Sequence, residues 1–540
     1  MANNRIAPNV SVSEDDSFSI TTSQSNTEVA VVASLNWGPV LAPELVNSEN
    51  EFVNIFSKST VTNYLDFLCI TDFLSYAGSL WVNRVVSSSA INAGTAAGVL
   101  VKNADHYDTI SFTGSSNIFV AKYPGVLGNA LSVAFTDATG FNAVDTAAQP
   151  VWTYHSLFAF APDANHFHIV VLDSTGEISG VPGTILEKFE NVSTVSSDKN
   201  FDGSTAYVLN ILRNTSEWIW LGKLALLTGH SNGTALSGGL DGSAPASGDY
   251  EAGWDMFADK STYDIRLAFP AGASTTVAAY MIANVCELRA DCVGCVGPAM
   301  TDVVNVTNMA TALTNVAATK TTLGDTSFAF FDSNWKLYYD RYLDRNIWTP
   351  CSSSTAGLMA AVDIKANPWN SPAGYDNGNI KNCIALAQKW TDAYQDELYK
   401  ISSNPIVRIR GVGNLLMGDR TMQIKPSAFR EIGIRRLFIF LEKEIGETAK
   451  SFLFKQDDAI TQATFVNVVE PLLDFVKGQR GLIDYNVVCN SSNNTPDTEA
   501  AQKLIADIYI QPTHSINYVL LNFVAINSVV QFTTSVVRPS

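Results

Sequence analysis

A serine between two glycines is the first candidate for covalent chemistry in this chain. Ser231 lies in Gly229-His-Ser-Asn-Gly233, and GxSxG is the pattern of the nucleophile elbow of α/β-hydrolases. That elbow requires a helix directly after the serine. The segment that follows, Leu236-Ser-Gly-Gly-Leu-Asp-Gly242, is too rich in glycine to form one. We therefore predict that Ser231 is not a nucleophile, and an α/β-hydrolase is a distant alternative.

Cysteines and histidines could hold a metal ion. Cys292-Val-Gly-Cys295 has the spacing of half a zinc site, but no second pair and no nearby histidine completes it. The pair lies in an apolar run that predicts a strand, whereas a redox thiolate is stabilised at a helix N-terminus. His166 and His168 share one face of a predicted strand without further ligands. We predict buried structural thiols, no metal and no cofactor.

A glycine-rich segment is the remaining candidate for a chemical role. Gly411-Val-Gly413, followed by Gly418-Asp419, resembles a phosphate-binding loop but lacks its Lys-Ser/Thr pair, so we predict a turn. The chain has 6 histidines, and none is paired as acid–base catalysis requires. The sequence therefore predicts no catalytic residue and no enzyme.

Composition excludes two further classes of protein. The chain has 540 residues, 46% hydrophobic and 16% charged, which is typical of a globular protein of several domains. Its net charge of −18 lacks the basic footprint of a nucleic-acid-binding protein. No segment approaches the roughly 20 apolar residues of a membrane span, and the first 16 residues do not form a signal peptide. We predict a soluble protein made in a cytoplasm, with no nucleic-acid or membrane partner.

Charge is unevenly placed along the chain. Residues 101–260 carry 17 acidic and 7 basic side chains, a net of −10. Residues 404–450 carry 9 basic and 5 acidic side chains, a net of +4. One region is therefore expected to repel anionic partners and the other to attract them.

Hydrophobic periodicity predicts a mixed architecture. Residues 99–185 contain short apolar runs separated by turn residues, which is typical of a β-rich region. Residues 265–331 alternate apolar strands with helical patterns, which indicates an α/β fold. In residues 379–400, Ile380 and Ile384 begin a helical spacing that predicts one continuous helix.

Both ends of the chain are β-prone but have no obvious partner strand. We call residues 1–23 the N-terminal arm and residues 513–540 the C-terminal arm. The strand-forming positions that we predict are Val10, Val12, Phe18 and Ile20 in the N-terminal arm, and Ile516, Tyr518, Leu520, Val524 and Ile526 in the C-terminal arm. An isolated strand is not stable, so each arm needs a sheet to join, in the same chain or in a neighbour. The pattern leaves both possibilities open.

An ordered series of motifs in the last 200 residues resembles the tail sheath proteins of contractile-tailed bacteriophages. The motifs are Trp369-Asn-Ser-Pro-Ala-Gly374, Asp396-Glu-Leu-Tyr399, Asn404-Pro405, Gly411-Val-Gly413, Gly418-Asp-Arg-Thr421, Pro426-Ser-Ala-Phe429, Ile434-Arg-Arg-Leu-Phe-Ile439 and Glu442-Lys443. Weaker matches are Trp37-Gly-Pro-Val40, Glu51-Phe52, Ile55-Phe56, Tyr123-Pro-Gly125, Gly128-Asn129 and the glycine-rich segment 236–242. Pro8-Asn-Val10-Ser-Val12 stands where the family often has Pro-Gly-Val-Tyr, so the pairing of the N-terminal arm stays open.

The resemblance implies a structural, self-assembling subunit of the virion. Sheath subunits stack as hexameric rings around a tail tube, and their arms add strands to the sheets of neighbours. Contraction of the sheath drives the tube through the host envelope. The partners implied are other copies of this chain, the tail tube protein, and the baseplate and tail terminator proteins. Assembly would take place in the host cytoplasm.

The basic region would then face inward. Some of its side chains could contact an acidic tube: Arg408, Arg410, Arg420, Lys425, Arg435 and Arg436. Alternatively, Arg435 and Arg436 pair with acids of their own chain, such as Glu442.

The resemblance and the pattern together predict a multidomain α+β and α/β protein. We expect a conserved α/β core from residues 24–95 plus 350–512, a second α/β domain from 190–349, and a β-rich outer domain from 100–189 inserted into it. The two arms complete the chain. The sheath of a related contractile device, a secretion system or a tailocin, is the alternative that the sequence leaves open.

Overall fold

The computed structural model describes residues 27–112, 115–145, 150–495, 498, 501–515 and 517. The predicted arm strands at Val10, Val12, Phe18 and Ile20, and at Ile516, Tyr518, Leu520, Val524 and Ile526, lie outside the described residues.

The strands of the described residues are short and are spread over the whole chain. In chain order they are β1 (Val29–Ser34), β2 (Glu44–Val46), β3 (Leu80–Val85), β4 (Phe119–Ala121), β5 (Leu131–Thr136), β6 (His166–Asp173), β7 (Thr184–Ser193), β8 (Ile219–Leu221), β9 (His230–Ala235), β10 (Leu267–Phe269), β11 (Val293–Val296), β12 (Ala329–Phe331), β13 (Trp335–Asp340), β14 (Arg345–Pro350), β15 (Ala385–Leu386), β16 (Ile406–Ile409), β17 (Gly413–Leu416), β18 (Leu482–Val488) and β19 (Asp507–Pro512).

The helices are concentrated on either side of the inserted β-rich region. They are α1 (Glu49–Phe56), α2 (Tyr64–Leu74), α3 (Ala104–Thr109), α4 (Ala138–Asn142), α5 (Val208–Thr215), α6 (Ser247–Asp255), α7 (Thr275–Met281), α8 (Met300–Val303), α9 (Met309–Leu323), α10 (Ser352–Lys365), α11 (Gly374–Asn377), α12 (Asp392–Lys400), α13 (Ile432–Lys450) and α14 (Ala459–Gly478). A π-helical turn, Ile282–Glu287, continues α7.

The central element is a six-stranded sheet in the order β12-β11-β10-β1-β3-β2. Five strands run parallel, and β2 pairs antiparallel with β3 at one edge. Central strand β1 has the sequence Val-Ala-Val-Val-Ala-Ser and is buried on both faces, as expected for a strand of a parallel sheet covered by helices.

Alternate residues of β1 face two separate cores. Val29 and Val31 pack with α2 and α10, whereas Ala30 and Val32 pack with α6, α7 and α9. This three-layer arrangement is a doubly wound α/β fold. The sequence assigned residues 24–95 and 190–349 to different domains, whereas in the structure their strands share this one sheet.

A β-rich region is inserted between β3 and α6. It contains an antiparallel sheet in the order β7-β6-β5-β9 and the two-stranded pair β4-β8, around their own hydrophobic core. Its two ends are paired: Gly94 and Ser237 exchange backbone hydrogen bonds of 2.9 Å in both directions, and so do Ile91 and Leu240. The insertion therefore enters and leaves the α/β domain at one place.

The C-terminal part adds small sheets and a helical pair. Hairpin β16–β17 packs beside the α/β domain, and β18–β19 forms a two-stranded sheet against α13 and α14. The continuous helix predicted over residues 379–400 is wrong, because only α12 is helical and β15 precedes it. Ile380 and Trp390 pack into different cores and Ile384 is exposed, so the helical spacing did not mark one buried face.

Candidate functional site

Ser231 does not lie on a nucleophile elbow. It belongs to strand β9, which continues to Ala235, and its Oγ lies 3.0 Å from the Oγ1 of Thr234. The turn into a helix that exposes a nucleophilic serine is replaced by a sheet strand. This geometry supports the prediction that the GxSxG match is coincidental.

The cysteines of the CxxC motif are free, buried thiols. Cys292 precedes β11 and Cys295 lies within it, so the predicted strand is confirmed. Burial raises the pKa of Cys295 to about 12. A thiol with so high a pKa is a poor nucleophile and a poor metal ligand at neutral pH. Among the described residues no cluster of three or more His, Cys, Asp or Glu side chains could hold a metal ion.

His168 is a structural residue of the inserted sheet. It is fully buried and stacks on Phe158 with ring centroids 4.1 Å apart. Its Nδ1 accepts from the backbone N–H of Asn191 at 3.0 Å, and its Nε2–H donates to the carbonyl of Phe160 at 2.9 Å. A proton on Nδ1 would face the Asn191 N–H, so the ring is held neutral. Burial also lowers the pKa of His168.

We expect the inserted region to lose stability in acid because of His168. Below a pH of about 6.5 the unfolded imidazole binds a proton that the folded state excludes, so the free energy of unfolding falls as pH falls. Urea unfolding at pH 8 and pH 5.5 measures this loss. His168→Gln should reduce the pH dependence, whereas His230→Gln, at an exposed position, should leave it unchanged. An equal pH dependence in both variants would contradict the assignment.

Motif segments of the C-terminal region converge at the first residues of the C-terminal arm. We call this place the C-terminal junction, formed by Ser371, Tyr399, Asp419, Glu431 and His514 with Ser515. Glu431 is the N-cap residue of α13, and its side chain caps no backbone N–H of that helix. Its carboxylate instead accepts from His514 Nδ1 at 2.9 Å and from the backbone N–H of Ser515 at 3.3 Å.

Asp419 joins three of the junction residues by hydrogen bonds. Its carboxylate accepts from Ser371 Oγ at 3.2 Å and from Tyr399 OH at 3.3 Å, and the Ser515 hydroxyl also bonds it. Burial, followed by the nearby charge of Glu431, raises the pKa of Asp419 above its ordinary value. A cavity of about 180 Å³ beneath the junction is lined by residues of two motif segments and by residues 513–515.

A second junction holds the first described residues of the chain. Thr27 Oγ1 donates to Asp363 Oδ2 at 2.5 Å, and the same carboxylate oxygen is paired with Arg436 of α13. Asp363 and Arg436 are both almost fully buried. We call Thr27, Asp363 and Arg436 the N-terminal junction. The C-terminal junction therefore contacts α13 directly, and Thr27 is linked to α13 through Asp363 of α10.

Sequence reasoning missed Asp363, Glu431 and His514. The single acid in α10, otherwise an apolar and small-residue helix, could have marked Asp363, because a buried acid needs a partner. No local pattern marks Glu431 or His514, since their contact joins residues 83 positions apart.

The six basic residues predicted to face a tube fall into different environments. Arg408, Arg410 and Lys425 are exposed, the first two on and beside strand β16. Arg420 stacks on Tyr399, with its guanidinium carbon 3.5 Å from the ring centroid. Arg435 is 7% exposed between Phe328 and Phe429, and Arg436 is 5% exposed beside Asp363. Their burial keeps Arg435 and Arg436 away from the surface of this chain.

The sheet β18–β19 has open edges. Its strands pair antiparallel with each other, and neither pairs with a third strand within the described part of the chain. Tyr485, Val487, Ile508 and Ile510 on its inner face are only partly buried against α14. A two-stranded sheet of this kind is only marginally stable alone and offers backbone groups for strand addition.

Within the described part of the chain, every helix is too short or too polar to span a lipid bilayer.

Comparison with known proteins relates this architecture to one family. Residues 244–422 match the phage tail sheath protein central domain, and residues 425–526 match the phage tail sheath C-terminal domain. The chain is 28% identical to the tail sheath protein of Salmonella phage ViI, over 98% of this chain and 97% of the other. It is 31% identical to that of Enterobacteria phage T4, over 83% of this chain and 73% of the other. The crystal structure of a sheath tail protein from Listeria innocua shares the fold, with a TM-score of 0.57 and 13% identity over 91% and 92% of the two chains. The chain therefore belongs to the tail sheath protein family of contractile-tailed phages.

Proposed function

We propose that this subunit assembles as stacked hexameric rings around the tail tube, and that contraction of the sheath drives the tube through the host envelope. The open edges of β18–β19 carry this proposal, because they lie next to the C-terminal junction and can accept strands from other copies. The arms of neighbouring subunits would complete this sheet. Contraction would repack the subunits from a metastable extended arrangement into one with new subunit contacts, and it requires no nucleotide.

The role proposed is structural and not catalytic. The strand geometry of Ser231 and the buried thiols of Cys292 and Cys295 support this. The subunit would be made in the host cytoplasm, assemble there on baseplate and tube, and be closed by a terminator protein. In the virion it would form the outer layer of the tail.

Removal of the C-terminal arm tests the proposed assembly. We expect the full chain to form long regular tubes in negative-stain electron microscopy, with baseplate and tube protein added if they are needed as a template. A chain lacking residues 513–540 should remain monomeric or form short fragments under the same conditions. Equal tubes from both chains would refute strand donation by this arm while leaving the sheath itself intact.

The exposed cations beside hairpin β16–β17 are the proposed tube-facing group. Arg408 and Arg410 form no ion pair with the described residues, so their charges are available to an acidic partner. Reversal of both charges, Arg408→Glu with Arg410→Glu, should reduce assembly on tubes by about tenfold or more at low salt, and less at high salt. Lys199→Glu with Lys260→Glu changes the net charge equally at exposed sites elsewhere and serves as control. Normal co-sedimentation of the Arg408/Arg410 variant with tubes would exclude this surface.

A further inference from the structure

The described ends of the chain are linked to the first two turns of α13, the C-terminal end directly and the N-terminal end through Asp363 of α10. Glu431 stands at the N-cap of this helix and holds His514 and Ser515. Arg436, five residues later, holds Asp363 and through it Thr27. At 1.5 Å per residue these two attachment points are about 8 Å apart along the helix axis.

The surrounding contacts fix this part of α13 firmly. The backbone N–H of Ile432 donates to the carbonyl of Asp419 at 2.8 Å, and that of Thr421 to the carbonyl of Arg430 at 2.8 Å. A Cβ on Gly433 would stand 2.5 Å from the carbonyl of Trp369, so the helix approaches that segment as closely as glycine permits. Residues 432–437 are all buried. The attachment points therefore belong to one rigid element and not to a loop.

We infer that α13 is the common anchor of the two arms, and that Glu431 and Asp363 are the positioning residues that set where each arm leaves the folded chain. The inference rests on the proposed strand donation. A subunit in a connected sheath is pulled through its arms, and the two attachment points on α13 provide a route between the arms of little more than one helical turn. The chain after Thr27 also enters the α/β sheet, because β1 begins at Val29 and Trp81 donates to the carboxylate of Glu28 at 2.7 Å.

Substitution of the two positioning residues removes different contacts. Glu431→Ala removes a partly exposed carboxylate from the surface of the junction, and the fold should persist. Asp363→Asn removes the charge beside buried Arg436 and weakens the hold on Thr27, because a neutral amide oxygen is a weaker acceptor than a carboxylate. Glu447→Ala is the matched control, since Glu447 is exposed on the same helix and forms an exposed ion pair with Lys450.

Hydrogen exchange and assembly together test the inference. In Glu431→Ala, the backbone amides of residues 513–515 should exchange faster than in the unaltered chain. In Asp363→Asn, the backbone amides of residues 27–29 should exchange faster. Each variant should raise the chain concentration needed for sheath formation about tenfold, equivalent to ~1.4 kcal/mol per subunit. Glu447→Ala should change neither. Thermal unfolding checks that each variant is folded. If Glu431→Ala is not folded, Glu431→Gln is used in its place.

The failure of this inference can be told apart from failure of strand donation. If the chain lacking residues 513–540 assembles normally, the proposal of strand donation by that arm is wrong, and the role inferred for α13 as its anchor is wrong with it. If that truncated chain fails to assemble while Glu431→Ala assembles with unchanged exchange at residues 513–515, strand donation stands and the anchor is overturned. Unchanged exchange at residues 27–29 in Asp363→Asn likewise overturns the N-terminal half.

Discussion

Replacement of Lys336 by Met is expected to lower the free energy of unfolding by about 3–5 kcal/mol. Lys336 Nζ lies 2.5 Å from Asp72 Oδ1, and neither side chain is exposed to solvent. Asp72 Oδ2 accepts from the hydroxyls of Ser353 and Ser354 at 2.9 and 2.7 Å. The pair therefore joins α2, β13 and α10 at the centre of the fold. The substitution leaves a carboxylate buried with two hydroxyl donors but no cation.

Urea unfolding followed by circular dichroism measures this loss. The double variant Asp72→Asn with Lys336→Met should recover most of it, because a buried pair replaced by neutral groups of similar size is often close to neutral in stability. The amide oxygen that replaces the carboxylate would still accept from the two serines. Lys450→Met, which breaks an exposed pair with Glu447, should change stability by no more than about 1 kcal/mol. A Lys336→Met protein whose stability lies within about 1 kcal/mol of the unaltered chain would contradict a stabilising role for this pair.

Arg84→Met is expected to cost about 4 kcal/mol or more, because it leaves several buried carbonyl groups without donors at about 1–3 kcal/mol each. Arg84 is 1% exposed, and its guanidinium donates to the carbonyls of Leu35, Asn36, Gly38 and Pro124 at 2.7–3.0 Å. Three of these carbonyls belong to the segment after β1 and one to the inserted region. Burial lowers the pKa of Arg84 to about 9, which leaves it charged at neutral pH.

The shape of the guanidinium matters as much as its charge in this position. Arg84→Lys keeps a cation, yet a single ammonium cannot reach carbonyls on both sides, so most of the loss should remain. Arg410→Met, at an exposed site, should be close to neutral. The midpoint of urea unfolding and the protease sensitivity of the inserted region report on the change. Recovery of full stability by lysine would mean that charge alone is needed there.

Arg84 also shows what the sequence motifs represent physically. The segment Trp37-Gly-Pro-Val40 supplies one of its acceptors, and Tyr123-Pro-Gly125 supplies another. Asp241 of the glycine-rich segment accepts from the backbone N–H of Val126 at 2.8 Å. Three motifs far apart in sequence therefore meet around one side chain. The family resemblance identified the segments, but only the fold shows why they occur together.

Local pattern predicted elements better than it predicted contacts. The apolar run at Cys292 and Cys295 correctly indicated strand β11, because burial on both faces leaves a direct signature in composition. The pairing of Lys336 with Asp72 spans 264 residues, and that of Arg436 with Asp363 spans 73. Hydrophobic periodicity describes neighbouring residues of one helix or strand and cannot predict a contact between residues so far apart in sequence. The domain boundaries and the positions within the two arms remain predictions.

The paired ends of the inserted region make some of the loops between them easy to change. Because residues 94 and 237 face each other through two backbone hydrogen bonds, loops that do not reach the α/β domain can grow or shrink without moving β1 or β3. Pro124 and Trp218 must stay, since they contact Arg84 and Trp37. Loop-closure entropy changes by only about 0.6 kcal/mol for each doubling of length. Such loops can therefore change in length at little thermodynamic cost. A loop of this kind would also accept an inserted foreign domain.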